Sequence, residues 1–293
     1  MPKKILLQTT IPTTQDDWDI ARFHLLAEFL DSQQAADGSK LFAVTGRDRD
    51  TATGPDSLLS RLDGTDFDEL WLFAVDTGNG LSPEDCAAIG RFRQRGGGLL
   101  VTRDHMDLGS SVCTLGGVGA AHHFHTKNPE ADPRRRHIDD PFTTAILWPN
   151  YHSGANGDYQ EIRPEGDLHP VLRDPATPGQ ALRFLPAHPH EGAVSAPDAT
   201  ARVIATGRSK ITGVDFNIAV AFAPDEGPDK RNGPAIAQST FHHFADYNWD
   251  TGAGAPTFVD EPPGRSLAES PEAMRSTKSY MRNLALWLAG LPT

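Results

Sequence analysis

The chain has 293 residues, 38% hydrophobic and 23% charged, and its 27 Lys and Arg against 39 Asp and Glu give a formal net charge of −12. This composition excludes a disordered chain, and the length allows one large core or two smaller ones. The acidic balance repels phosphate backbones, so nucleic acid is not an expected partner, and the one basic run, Arg134-Arg135-Arg136, is flanked by acidic residues and reads as a solvated loop.

The first half alternates strand and helix signals. KKILLQTT near the amino terminus reads as a first strand rather than a signal peptide, and a cytoplasmic location is expected. Thr13 or Thr14 then caps a helix through QDDWDIARFHLLAEFLDSQ, where Trp18, Ala21, Leu25 and Phe29 recur at helical spacing and His24 fills a mid-helix position. LFAVTG (41–46) predicts a second strand and ELWLFAVDTG (69–78) a third, the latter apolar enough to be buried on both faces. Ser82 and Pro83 followed by Glu84 and Asp85 open the next helix, which carries Cys86 and closes in the Gly96–Gly98 run. GLLVT is strand four.

Strands that alternate with helices imply a parallel sheet, and ligands of such sheets bind beyond the carboxyl ends of the strands. Strand four therefore delivers Arg103, Asp104, His105 and Asp107 to that edge. From about 110 to 200 the chain is rich in Gly, Pro, His and Asp and reads as a loop-rich insertion that builds the site. Strand signals return in ARVIATG (201–207), GVDFNIAVAF (213–222) and PAIAQSTF (234–241). Ser270-Pro271 opens a terminal helix with Met274, Met281, Leu284 and Leu288 on one face. The reading is a single α/β domain over 1–293, a mostly parallel, flavodoxin-like sheet flanked by helices. No apolar run reaches the ~18 residues of a membrane span. There is no GxGxxG or P-loop pattern, so no nucleotide cofactor is expected.

Twelve histidines are many for this length, and most fall in clusters. On an extended segment, residues two apart share a face, so His123 with His125, or His188 with His190, can share a divalent metal such as zinc, manganese, iron or nickel, with Glu191 or Asp107 completing the set. His242 and His243 follow a late strand; neighbours on a strand diverge, so one of the pair is expected in the site. His137 and His169 have weaker claims. Asp104, His105, Glu191 and His243 are candidate acid–base residues. Arg103 is a candidate for stabilising a developing oxyanion, and Asp107, Tyr151, His152, Asn156 and His242 for contacting the substrate. Asp104 or Asp107 as a mere helix cap is the competing reading. Cys86 and Cys113 form no CxxC pair, and the turn after strand four lacks a G-x-S-x-G elbow, which argues against serine or cysteine hydrolysis.

The GGGLLVTRDH turn, the following GGVGAAHHFH and the late STFHH resemble the class I glutamine amidotransferase-like superfamily, nearest to its trehalose-utilisation (ThuA-like) branch, over roughly 3–125 and 200–290. The resemblance implies that Asp104 and His105 stand where glutaminases carry their nucleophilic cysteine, and that His242 or His243 stands in the region of their late histidine. Without that cysteine and without a His-x-Glu pair, glutamine hydrolysis is not expected. Association of the branch with sugar metabolism implies an isomerase or hydrolase acting on a small polar, sugar-like substrate. A non-catalytic binding or sensing domain of the same fold is the alternative, and a metal store a third. A small molecule is the expected partner, and a homo-oligomer is compatible with the sequence.

Overall fold

Eight strands form the central sheet of the computed structural model, which describes residues 1–136, 139–140, 143–225 and 232–293. In chain order the strands are β1 (Lys3–Pro12), β2 (Phe42–Arg49), β3 (Glu69–Phe73), β4 (Gly98–Thr102), β5 (His122–His123), β6 (Tyr159–Glu161), β7 (Arg163–Pro164), β8 (Phe184–Pro186), β9 (Ala193–Val194), β10 (Ala201–Arg208), β11 (Asp215–Phe222) and β12 (Ala235–Gln238). The helices are α1 (His24–Asp31), α2 (Pro83–Gln94), α3 (Asp246–Trp249), α4 (Ser266–Glu269) and α5 (Pro271–Leu288). The sheet runs β2-β1-β3-β4-β12-β11-β10-β7. Its first five strands are parallel; β11, β10 and β7 add antiparallel pairings at one side.

The parallel half is buried on both faces, as its unbroken apolar runs require. In β3, Leu70 and Leu72 join Ile89 and Phe92 of α2 on one face. Trp71 and Phe73 join Phe23, Leu26, Tyr280 and Leu284 on the other, under α1 and α5. The expected start of α2 is present as a full capping box: Ser82 Oγ accepts from Asp85 N–H, and the Asp85 carboxylate accepts from Ser82 N–H. Gly98 opens β4 where a Cβ would lie 2.4 Å from the Leu288 carbonyl oxygen, so only glycine lets the strand pass the end of α5.

The first helix differs from the sequence reading. It begins at His24, preceded by a 3-10 turn over Ile20–Phe23 that Asp19 caps, not Thr13 or Thr14. Thr9, Thr13 and the Ile20 N–H all converge on the Asp48 carboxylate, which holds residues 13–20 in turns. The Asp246 carboxylate accepts from the His24 and Leu25 N–H groups, capping α1 from across the fold. His24 is thus at the helix start, beside Glu28.

Register places the site. Phe73 pairs with Thr102, and Thr102 with Gln238, so β3, β4 and β12 end side by side. The segments that follow them, from Ala74, Arg103 and Ser239, leave the sheet at one edge. The insertion supplies short strands, 3-10 turns and loops over that edge. No helix among the described residues is long and apolar enough to cross a membrane.

Candidate functional site

Asp104, two residues past β4, is 2% exposed and meets three imidazoles. Its carboxylate lies 3.2 Å from His188 Nε2, 3.6 Å from His242 Nε2 and 3.1 Å from His105 Nδ1. Thr240 Oγ1 donates to it at 3.1 Å. His188 and His242 stack face to face, with centroids 3.6 Å apart and 11° between the planes. They arrive from two directions: His188 from the insertion, and His242 from a 3-10 turn after β12 whose first N–H groups Thr240 caps.

The hydrogen bonds behind these rings decide which nitrogen carries the proton. Asn248 Nδ2 donates to the Ala187 carbonyl and to Asn156 Oδ1, both at 2.9 Å. A carbonyl only accepts, so the Asn248 amide is fixed with Oδ1 toward His242 Nδ1, 3.0 Å away. Asn156 Oδ1, in turn, faces His188 Nδ1 at 2.8 Å. Both imidazoles therefore donate from Nδ1 and are left, when neutral, with a lone pair on the Nε2 that faces Asp104. Burial, reinforced by His242 alongside, pushes His188 well below the usual imidazole range, so it is neutral at pH 7. Its Nε2 has no hydrogen-bond partner among the described residues. Burial opposes charge on Asp104 as well, whereas positive charge on the surrounding His188, His105 or His242 rings would pull its carboxyl well below the usual range.

Lone pairs facing a carboxylate repel it unless a cation lies between them. Asp104, His188 and His242 can offer one ligand atom each within 4.8 Å of one another. Two bonds of ~2.1 Å at a tetrahedral angle would put their donors about 3.4 Å apart; here His188 Nε2 lies 3.2 Å from Asp104 Oδ1 and His242 Nε2 3.6 Å from Asp104 Oδ2. The donor set, two imidazoles and one carboxylate with amides behind the imidazoles, suits zinc or a similar divalent ion.

A cavity of about 410 Å³ opens above this cluster, and Asp104, His105, His188 and His242 line its floor. A second cluster, Asp140, His190 and Glu261, lies beside it, with His190 and Glu261 on the wall. There the ring is already engaged at both nitrogens: Nδ1 meets Asn150 Oδ1 at 2.9 Å and Asp140 at 3.2 Å, and Nε2 meets Glu261 at 2.8 Å. The bond from His190 is the main reason the Glu261 carboxyl is held below its usual range, against burial.

The other candidates go elsewhere. His123 bonds the Asn128 carbonyl oxygen at 2.9 Å and Ser195 Oγ at 2.6 Å, His125 is exposed, and neither joins a metal-binding group among the described residues. The expected sharing of one face fails because β5 is two residues long and ends at His123. His188 and His190 also divide between the two clusters instead of holding one ion. Glu191 and His243 are fully buried behind the cavity: Glu191 accepts from Ser153, Gln160 and Ser239 and lies 3.4 Å from His243 Nε2. Gln238 bonds His243 Nδ1 at 2.7 Å and accepts from the Tyr280 hydroxyl at 2.6 Å.

Arg103 is also fully buried. Its guanidinium lies over Phe124, 4.2 Å from the centroid, and donates to the Met106 carbonyl. Burial pulls it down to about 9. Arg103 does not line the cavity, so the oxyanion role is not the one its position allows. Asp107 ties down Thr126 through its N–H and Oγ1. Tyr151 stacks on Phe216 at 4.9 Å and donates to the Arg135 carbonyl; burial pushes its hydroxyl up to about 12. His152 lies 3.9 Å from Asp140, and Asn156 lines the cavity while orienting His188. His169 caps a turn, and His137 lies outside the described residues. Cys86 bonds Thr114, and neither cysteine lines the cavity.

With this geometry in hand, similarity to known proteins can be placed. The chain is similar to the glutaminase domain of Trypanosoma brucei CTPS, solved with bound acivicin, over 99% of its own length and 95% of that chain, at 14% identity and a TM-score of 0.51. The fold is the class I glutamine amidotransferase-like fold. A ThuA-like protein from Parabacteroides merdae ATCC 43184 aligns over 100% of this chain and 92% of that one, at 15% identity and a TM-score of 0.47. No family model and no curated protein matches the chain. At such identities the likeness is one of fold, and function has to come from the site.

Proposed function

We propose that the protein is a metal-dependent enzyme acting at the carbonyl of a small polar, sugar-like substrate, as an isomerase or hydrolase. The observation that carries this reading is the Asp104–His188–His242 cluster, whose two Nε2 atoms face a carboxylate while Asn156 and Asn248 take the Nδ1 protons. A divalent ion held there would supply Lewis acidity to a carbonyl oxygen. His105 is placed to move the proton: its side chain is 20% exposed, lines the cavity, and has Nδ1 3.1 Å from Asp104. The enclosing Trp18 and Phe241 keep bulk water from the reacting end.

Nothing in this arrangement supplies a thiol nucleophile, so hydrolysis of glutamine through a thioester is not part of the proposal. The test is an assay of chelator-treated and metal-reloaded protein on a panel of small polyhydroxylated aldehydes, ketones, lactones and esters. Turnover is expected only after reloading, with Asp104→Asn abolishing it and His105→Ala lowering kcat about 100-fold or more while the ion is retained. Equal turnover before and after reloading would overturn the metal role. Ion binding with no turnover across the panel would favour a binding domain of the same fold.

A further inference from the structure

The cavity mouth has a chemistry distinct from its floor. The Asp16 carboxylate accepts from the N–H of Thr257 at 2.6 Å and from its hydroxyl, which ties the segment carrying Phe258 and Asp260 to the one carrying Asp17 and Trp18. Both segments line the cavity. Asp17 is half-buried, its carboxylate accepts from the neighbouring Trp18 N–H at 2.7 Å, and burial raises its carboxyl above the usual range. Asp260 is exposed, and no cation pairs with it or with Asp17 among the described residues. Phe258 is 58% exposed, a large apolar ring left at the rim.

Four carboxylates thus line the cavity, Asp17, Asp104, Asp260 and Glu261, together with four imidazoles, and among the described residues no Lys or Arg does. A divalent ion on the floor would sit with Asp104, and Glu261 is already bonded to His190, so Asp17 and Asp260 are the carboxylates left to make the mouth negative. Anionic ligands are repelled by such a wall, whereas a cation is drawn in and finds aromatic faces beside the carboxylates.

We infer that the substrate is an amine-bearing polyol, an amino sugar or close analogue, bound with its ammonium group between Asp17 and Asp260 against Trp18 and Phe258, and that phosphorylated or carboxylated sugars are excluded. This deepens the reading above and rests on it for the polyol end.

The test uses glucose, glucosamine and glucose phosphate as probes, titrated into the purified, metal-analysed full chain at pH 7 and followed by Trp fluorescence or calorimetry. Glucosamine should bind at least tenfold more tightly than glucose, its affinity should fall as salt rises, and glucose phosphate should not bind. The Asp17→Asn/Asp260→Asn variant should bring glucosamine to the affinity of glucose with its metal content unchanged; both residues are at the rim, and an unaltered circular dichroism spectrum checks that it folds. Equal affinity for the amine and the neutral sugar, tighter binding of the phosphate, no binding of any probe, or an unaffected variant would each overturn the inference. Metal content separates the two readings. An amine preference in metal-free protein that takes up no ion sinks the enzyme reading alone; bound metal without the preference sinks this one alone.

Discussion

His188 and His242 lie face to face, 3.6 Å between centroids, and each turns Nε2 toward the same Asp104 carboxylate while an asparagine holds its Nδ1 proton. Stacked imidazoles that donate from Nδ1 and turn Nε2 to a carboxylate make a good set of metal ligands. The orientation is imposed from behind, through a chain that begins at the Ala187 carbonyl and passes through Asn248 to Asn156.

That chain is testable at Asn248. In Asn248→Ala, His242 loses the acceptor that fixes its ring, and the affinity for zinc should fall 10–100-fold while Asp104 and both histidines remain. Competition with a fluorescent chelator reads the change directly. Unaltered affinity would show that the ring needs no such support.

Glu191 and His243 are predicted to matter for stability and not for chemistry. Glu191→Ala leaves the Ser239 hydroxyl without its buried acceptor, removes the 2.6 Å bond from Ser153, whose hydroxyl keeps only the His188 carbonyl, and should cost about 3 kcal/mol or more. Denaturant unfolding measures the loss. The folded fraction should keep its metal stoichiometry and KM.

How much of this was legible in the sequence differs from element to element. Ser82-Pro83 and the apolar run of β3 are local signals, and both elements formed, although β3 ends at Phe73, five residues short of the 69–78 stretch read as strand. The edge that carries Asp104 and His105 followed from β4 alone. Which of His242 and His243 faces the cavity did not, because the chain leaves β12 into a 3-10 turn that sends the two rings to different networks. Asn248, Asp140 and Glu261 gave no signal, since each acts through a contact set by tertiary packing. Asp140 lies just past the arginine run read as solvated loop, yet it is buried against His190. The arginines themselves are exposed, as read.

Gly192 is predicted to be intolerant of a side chain. A Cβ there would sit 2.3 Å from Arg103 Nη1 and 2.6 Å from the Asp104 carbonyl oxygen. Gly192→Ala should destabilise the fold by about 1–3 kcal/mol and, by shifting the Asp104 backbone, weaken metal binding. Thermal unfolding with and without added zinc checks both effects.

Glu69 gives a pH signature away from the cavity. Its carboxyl is fully buried, and burial raises it well above its ordinary 4.5, with the Trp71 indole bond opposing. The folded state therefore holds this proton more tightly than the unfolded chain. Its contribution to stability is complete below about pH 4.5 and declines as pH rises from there toward the raised folded value. Glu69→Gln should unfold at a higher temperature than the parent at pH 8, with the gap closing as pH falls toward 4.5. A gap independent of pH would contradict the assignment.

The most direct measurement is the metal content of protein purified without a His tag and dialysed against zinc, determined by mass spectrometry for the parent and for Asp104→Asn and His188→Ala. The account predicts close to one ion per parent chain, because Asp104, His188 and His242 are poised as ligands while His190 is already engaged at both nitrogens. Both variants should fold and retain less than about a tenth of the metal. A parent chain that takes up no ion, or variants that keep the full complement, would contradict it.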